Sequence, residues 1–184
     1  LTDDTTLRAD AQRNRERILA AAEEVFLERG VGASLEDVAK RAGVGIGTLY
    51  RRFPTREALL AATYNARLLS FAEVSRARGG EMEPGCAVRA YLEELVVHTN
   101  VYRGLATSLG TVLQSGTPGC RATSEEGNRL LRRAQEAGVI RGDVTFDDLV
   151  YVVMAISLAV EQGDASKSRI AHLAGLFLDG ISVR

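Results

Sequence analysis

Much of the usual chemical equipment is scarce in this 184-residue chain. Two cysteines, Cys86 and Cys120, make no disulfide framework and fit a reducing compartment. Neither sits in an evident basic setting, so both read as small buried or bystander residues rather than a thiol switch. His98 and His172 are the only histidines and stand about 74 residues apart, so no metal site is expected. The chain has no nucleophile elbow, phosphate-binding loop, HExxH or CxxC, so neither a cofactor nor an enzyme activity is expected. The longest uncharged apolar run, about Leu149 to Val160, is too short to span a bilayer and reads as a buried core helix. No signal peptide is visible, and a cytoplasmic location without membrane attachment is expected. The chain opens on Leu1 rather than Met, so its natural start is expected upstream. An excess of one charge is missing too: 23 basic residues stand against 24 acidic ones, for a net charge of −1. Any contact with a polyanion must therefore come from local patterning. Strand alternation and internal repeats are also lacking.

What is present is helix after helix. Residues 1–10 are polar, carry Asp3, Asp4 and Asp10, and are expected to form a flexible arm. A first helix is predicted over about Ala11–Arg29, with Ile18, Leu19, Ala22, Val25 and Phe26 on one face. A long helix begins after Thr55 and runs to about Arg78, where Gly79-Gly80 breaks it. Pro84 suits the first turn of the next, whose apolar face includes Val88, Tyr91, Leu92, Leu95 and Val96. A short helix over 103–113, a loop over 114–119 and a charged helix over 121–137 follow. Thr145 with Asp148 caps a helix from Phe146 to about Glu161, and a last helix runs from about Ser166 to Gly180. The expected class is all-α with about nine helices: a three-helix helix-turn-helix unit over 11–71, then a helical bundle over 72–184.

Residues 34–57, SLEDVAKRAGVGIGTLYRRFPTRE, say most about function. Ser34 caps a short helix with acid in its first turn, and Leu35, Val38 and Ala39 share a face. Gly43 sits where that helix must stop, because glycine takes the left-handed cap conformation without a Cβ clash. A second helix is predicted over about Gly45–Phe53, with Ile46, Leu49 and Phe53 anchoring it to the body of the domain. Gly45 and Gly47 have no side chains, so this end of the helix can come close to DNA. Pro54 ends the helix and Thr55 caps the next. From Lys40 to Arg56 there are five basic residues and no acidic one. Two short helices joined at a glycine, with local positive charge, are what a major-groove reader needs. The helix-turn-helix spans about 34–53, and the DNA-facing set is Ser34, Lys40, Gly45, Gly47, Thr48, Tyr50, Arg51, Arg52, Thr55 and Arg56. Arg56, at a helix start where backbone N–H groups favour phosphate, is expected to position rather than to read bases.

The stretch GVGIGTLYRRFPTREAL, preceded by an amphipathic helix ending at Gly30, resembles the TetR family of one-component bacterial transcription regulators. Ala39, Gly43-Val44, Gly47-Thr48-Leu49-Tyr50, Phe53-Pro54 and Glu57-Ala58-Leu59 sit at the family's spacing, over roughly residues 11–71. Many members carry a polar or charged residue at Ile46 and a histidine at Arg52, which leaves the base preference open. The resemblance gives Tyr50 a phosphate contact and implies a ligand cavity in the second domain. The residues expected to line it are Tyr64, Leu68, Phe71, Leu95, His98, Tyr102, Leu109, Leu113, Tyr151 and Met154. As most are apolar, the expected ligand is small and hydrophobic or aromatic.

The last two helices each have a broad apolar face. Paired with those of a second copy they would form a four-helix homodimer interface, with Ile170, Leu173, Ala174, Phe177, Leu178 and Ile181 buried between subunits. The resemblance implies the same arrangement. The expected function is a homodimeric repressor of a palindromic operator in double-stranded DNA, its recognition helices roughly 34–36 Å apart, released when ligand shifts the population. Two alternatives stand beside it: a DNA-binding regulator with no small-molecule inducer, and a helical interaction domain that no longer binds DNA.

Overall fold

Caps and glycines set the ends of the helices in the computed structural model, which describes residues 2–163 and 166–183, with side chains from residue 10. The helices are α1 (Thr2–Arg29), α2 (Leu35–Ala42), α3 (Ile46–Arg52), α4 (Arg56–Gly79), α5 (Pro84–Thr99), α6 (Leu109–Leu113), α7 (Pro118–Glu136), α8 (Phe146–Glu161) and α9 (Lys167–Ile181). A turn of 3₁₀ helix, Leu105–Ser108, leads into α6. Among the described residues there is no strand, only an isolated antiparallel bridge from Ile140 to Ser182. No described helix is long and apolar enough to cross a membrane.

Two boundaries differ from expectation. Residues 2–10 are not an irregular arm but the start of α1, since no glycine or proline separates them from the rest of the helix. Helix α7 begins at Pro118, inside the expected loop, because Thr117 accepts the Cys120 N–H and proline suits a first turn. At α8 the expected cap is a reciprocal pair: the Asp148 N–H donates to Thr145 Oγ1 (3.2 Å) and the Thr145 N–H to the Asp148 carboxylate (2.8 Å). Those bonds hold the Asp148 carboxyl below its ordinary range.

Helix α4 is the spine. It lies against α7 where Gly119 meets the Asn65 carbonyl so closely that a Cβ would collide with it. The Gly119 N–H donates to Asn65 Oδ1 (2.8 Å), and the Thr123 hydroxyl reaches the Leu68 carbonyl (3.3 Å). Further along, the fully buried Glu126 carboxylate accepts two bonds from Arg129 (2.7 and 2.8 Å) and lies 3.5 Å from Arg76. Burying this charge is costly even when it is paired, and removing Arg129 would take away both of its guanidinium hydrogen bonds.

The first three helices dock on this bundle through α1, where Glu23 meets Arg67 (3.1 Å) and Phe26 meets Tyr102, and through one loop. Gly30 (φ 82°) ends α1 in the left-handed region. The Val31 N–H donates to the Arg103 carbonyl (2.9 Å), and Arg103 reaches back to the Arg29 carbonyl (3.1 Å). Arg56, at the start of α4, donates to the Val31 and Ala33 carbonyls (2.6 and 2.7 Å). A Cβ at Gly30 would lie 2.6 Å from the Arg103 oxygen. Gly30→Ala is therefore expected to lower unfolding free energy by about 2 kcal/mol or more, from the left-handed backbone and the clash together. Urea unfolding followed by circular dichroism measures this; a loss below about 0.5 kcal/mol would show that the loop relaxes freely.

Candidate nucleic-acid interface and ligand groove

The two-helix unit forms as its residues dictate. Ser34 Oγ accepts the Glu36 N–H (3.1 Å) and opens α2. Gly43 (φ 64°) closes it, and Val44 N–H returns to the Ala39 carbonyl (3.0 Å). Leu35, Val38, Ala39 and Ala42 are buried below. In α3, Leu49 is fully buried, and Phe53, just past the helix end, is nearly so. Ile46 is not an anchor: 36% of it is exposed. It is the first residue of a seven-residue helix, and that turn projects past the body that holds Leu49.

The five basic residues divide by environment. Arg41 is turned onto α1, donating to both oxygens of Glu28 (2.7 and 2.9 Å), and lies 3.6 Å from Glu24. This pairing holds the Glu28 carboxyl below its usual range. Arg56, expected at a phosphate, is a strut: its Nη1 is engaged by the two loop carbonyls, because the loop between α1 and α2 passes over the start of α4. The Thr55 hydroxyl is likewise engaged, accepting the Ala58 N–H (3.1 Å) as the cap of α4. Lys40, Arg51 and Arg52 are exposed, and Arg51 donates to Thr48 Oγ1 (2.9 Å). Ser34, Gly45, Gly47 and Tyr50 are exposed as well. Nothing lies within 4 Å of where a Cβ would stand at Gly45 or Gly47. Together these residues make a surface of small and cationic groups around α3.

The interior residues separate into core and groove. Tyr64, Leu68, Leu95, Tyr102 and Leu109 are closed inside the bundle, with Leu113 close to it. Met154 is half-buried beside Gly110. Tyr151 is 67% exposed, so it is not an interior residue; it stands at the surface, edging shallow clefts that Leu113 and Phe177 also line. An open groove of about 500 Å³ lies between α4, α5 and the first turn of α9. Of the ten residues expected around a cavity, Phe71 and His98 line it, joined by Val74, Val97, Arg78 and Glu94. Val74 and Val97 were missed because their exposed apolar side chains fall off the core stripe of their helices. Phe71 and His98 lie ring to ring at 5.2 Å. His98 Nδ1 is buried with no hydrogen-bond partner among the described residues. Burial lowers the His98 pKa, with Glu94 opposing, so the ring is neutral at pH 7. Tyr64 donates its hydroxyl to the His98 carbonyl, and Arg78 pairs with Glu94 (3.0 Å) across the rim.

The last helix splits its apolar stripe in two. Ile170, Ala174, Leu178 and Ile181 pack within the chain's own bundle, so they are not an exposed interface. They share one face at i, i+4, i+8 and i+11, while Leu173 and Phe177 lie to one side of it, by about 95° and 55°, and are only half-buried. With Leu176 (59% exposed) and Tyr151 they leave an apolar outer face on α8 and α9. His172 is exposed on α9. Cys86 is exposed, whereas Cys120 is buried with its thiol on the Val112 carbonyl (3.0 Å). Among the described residues no three His, Cys, Asp or Glu side chains group as metal ligands would.

Known proteins match both halves. Residues 18–63 match the family described as bacterial regulatory proteins, tetR family, and residues 83–183 match the transcriptional regulator SbtR-like C-terminal domain. An HTH-type transcriptional regulator of Staphylococcus aureus (strain USA300) is 44% identical over 54 residues, which cover 29% of this chain and 29% of that protein. A TetR transcriptional regulator from Streptomyces coelicolor, solved by crystallography, is 34% identical over 91% of this chain and 98% of its own, with a TM-score of 0.55. RolR, solved with resorcinol bound, shares the fold at 21% identity and a TM-score of 0.73, over 96% of this chain and 91% of that one. With a matched domain over more than half its length and that full-length relative, the chain belongs to the TetR family of transcriptional regulators.

Proposed function

We propose that this regulator acts as a homodimeric repressor in the cytoplasm, holding a palindromic operator until a small apolar or aromatic ligand releases it. The observation that carries the reading is α4. Its first residue, Arg56, is bonded to the loop that supports the DNA-reading unit, and the same helix supplies Phe71 and Val74 to the groove. A ligand wedged between α4 and α5 would favour an arrangement in which α4, and the loop it holds, sits differently. The shift is limited by the ligand's differential affinity for the two states. The groove's apolar floor, and a neutral His98 nitrogen without a partner, suit a small aromatic compound bearing a hydroxyl. RolR's resorcinol is a ligand of that kind.

Lys40, Arg51 and Arg52 are the residues proposed to meet DNA charge, with Tyr50 and Thr48 beside them. Operator affinity is expected to fall linearly with log salt. Arg51→Ala should flatten the slope by about two contacts per dimer, one in each half-site. Arg56→Ala should leave the slope as it is while lowering stability by about 1–3 kcal/mol, because two carbonyls lose their donor. Fluorescence anisotropy across a salt series checks both; a slope that Arg51→Ala leaves unchanged would take Arg51 off the interface.

The outer face of α8 and α9 is the proposed dimer surface, centred on Leu173, Leu176, Phe177 and Tyr151. Leu176→Glu would put a charge where no partner can neutralise it cheaply. Sedimentation is expected to give monomer, with operator affinity down at least about 100-fold as one half-site is lost. A stable, operator-competent Leu176→Glu dimer places the interface elsewhere.

Coupling is tested by filling the groove. Val74→Trp changes an exposed groove wall, so the core is spared. Operator release should be measured for wild type and variant over a panel of small phenols, starting with resorcinol. If one releases wild type, the variant should need at least about tenfold more of it, or bind the operator less tightly without it. A variant matching wild type in both respects rules out the groove. If no compound releases wild type, the control is by concentration or a protein partner.

A further inference from the structure

Ile46 stands out on the recognition helix as an apolar side chain without a place in the core. It opens α3 but is not covered by its own chain, with 36% of it exposed. The glycines on either side add nothing to shield it, as the space around both is open. Tyr50, one turn along the same side of the helix, is 46% exposed, and Arg51 and Arg52, exposed on the same helix, lie on other sides of it. A branched apolar side chain in that position is poorly served by water.

The major-groove edge of B-DNA offers donors, acceptors and one apolar group, the C5 methyl of thymine. Isoleucine has no donor or acceptor, so it cannot satisfy a cytosine or adenine amine; set against one, it would leave that amine unpaired. Set against thymine, it buries a methyl on each side. A recognition helix presents its first residues to base edges, so Ile46 stands where this contact is made. We propose that Ile46 is a specificity-determining residue that reads a thymine methyl in each operator half-site. The proposal rests on the DNA-binding reading given above.

The test removes the methyl and nothing else. An operator is first enriched from a random duplex library with the full-length protein. Each half-site thymine is then replaced in turn by deoxyuridine, and affinity is measured at fixed salt. For wild type, one position is expected to lose about fourfold per half-site and about fifteenfold when changed in both. Ile46→Ala removes an exposed side chain and favours helix, so the fold is kept. This variant should bind the thymine operator more weakly and bind thymine and uracil operators equally. The inference is overturned if no uracil substitution affects wild type, or if the sensitivity survives in Ile46→Ala, since another group would then touch the methyl. A protein that enriches no sequence at all overturns the DNA-binding reading and this inference with it; an enriched but methyl-indifferent operator overturns this inference alone.

Discussion

The hold that Arg56 keeps on the loop between α1 and α2 decides where the DNA reader sits. One guanidinium nitrogen bridges two backbone carbonyls, Val31 and Ala33, that would otherwise be left without donors. The same loop is bonded on its other side to Arg103, which follows α5. Two fastenings of the three-helix unit thus lie on α4 and beyond α5, beside the direct contact of α1 with α4 through Glu23 and Arg67 (3.1 Å), and the groove opens between α4 and α5. A displacement of α4 relative to α5 cannot leave both fastenings unchanged. In the proposed mechanism the loop would follow one of them, carrying α2 and α3 with it. Coupling in this arrangement needs no long chain of contacts, only two packed states of one helix pair.

The near-neutral charge of the chain is reconciled with DNA binding by the same geometry. Helix α1 carries Glu24 and Glu28 one turn apart, and they take up Arg41 on the side away from α3. Asp37 of α2 is likewise paired, with Arg29 at 2.6 Å. The cations around α3 are set apart from these pairs. A field built from a few well-placed charges steers as well as a uniformly basic surface would, and it repels less within the compact state.

The fold was largely legible because helix ends are written in single residues. Ser34, Thr55 and Thr145 each cap where their side chains predict, and Gly30, Gly43 and Gly138 each take the left-handed conformation at a helix end. Direction was less legible than position. Arg56 reads as a phosphate ligand from its place at a helix start, and only the path of a loop 23 to 25 residues away shows that its nitrogen is already engaged. Arg41 belongs to the basic run in sequence and to α1 in space. The α9 stripe merged two faces because a small step in sequence is a 100° step around a helix. Tyr151 was expected at the cavity that the family resemblance implies, and a resemblance of the first domain does not say which side of α8 its neighbours occupy.

These misreadings share a physical cause. Ile46 and Tyr151 were each expected to be covered, since apolar side chains of that size are usually buried, and Leu176, outside the stripe expected on α9, is exposed in the same way. The chain covers none of them. Exposed apolar residues taken singly need no explanation, but these do not lie at random. One stands on the recognition helix, and the other two stand on the outer face of the last helices. A fold able to bury Tyr64, Tyr91 and Tyr102 completely does not lack the means to bury three more side chains. Leaving them in water lowers stability and stores apolar surface that another molecule can cover, so local consistency gives way where association gains. The places where pattern fails to predict burial are therefore the places to look for partners, and in this chain they coincide with the surfaces proposed to meet DNA and a second copy.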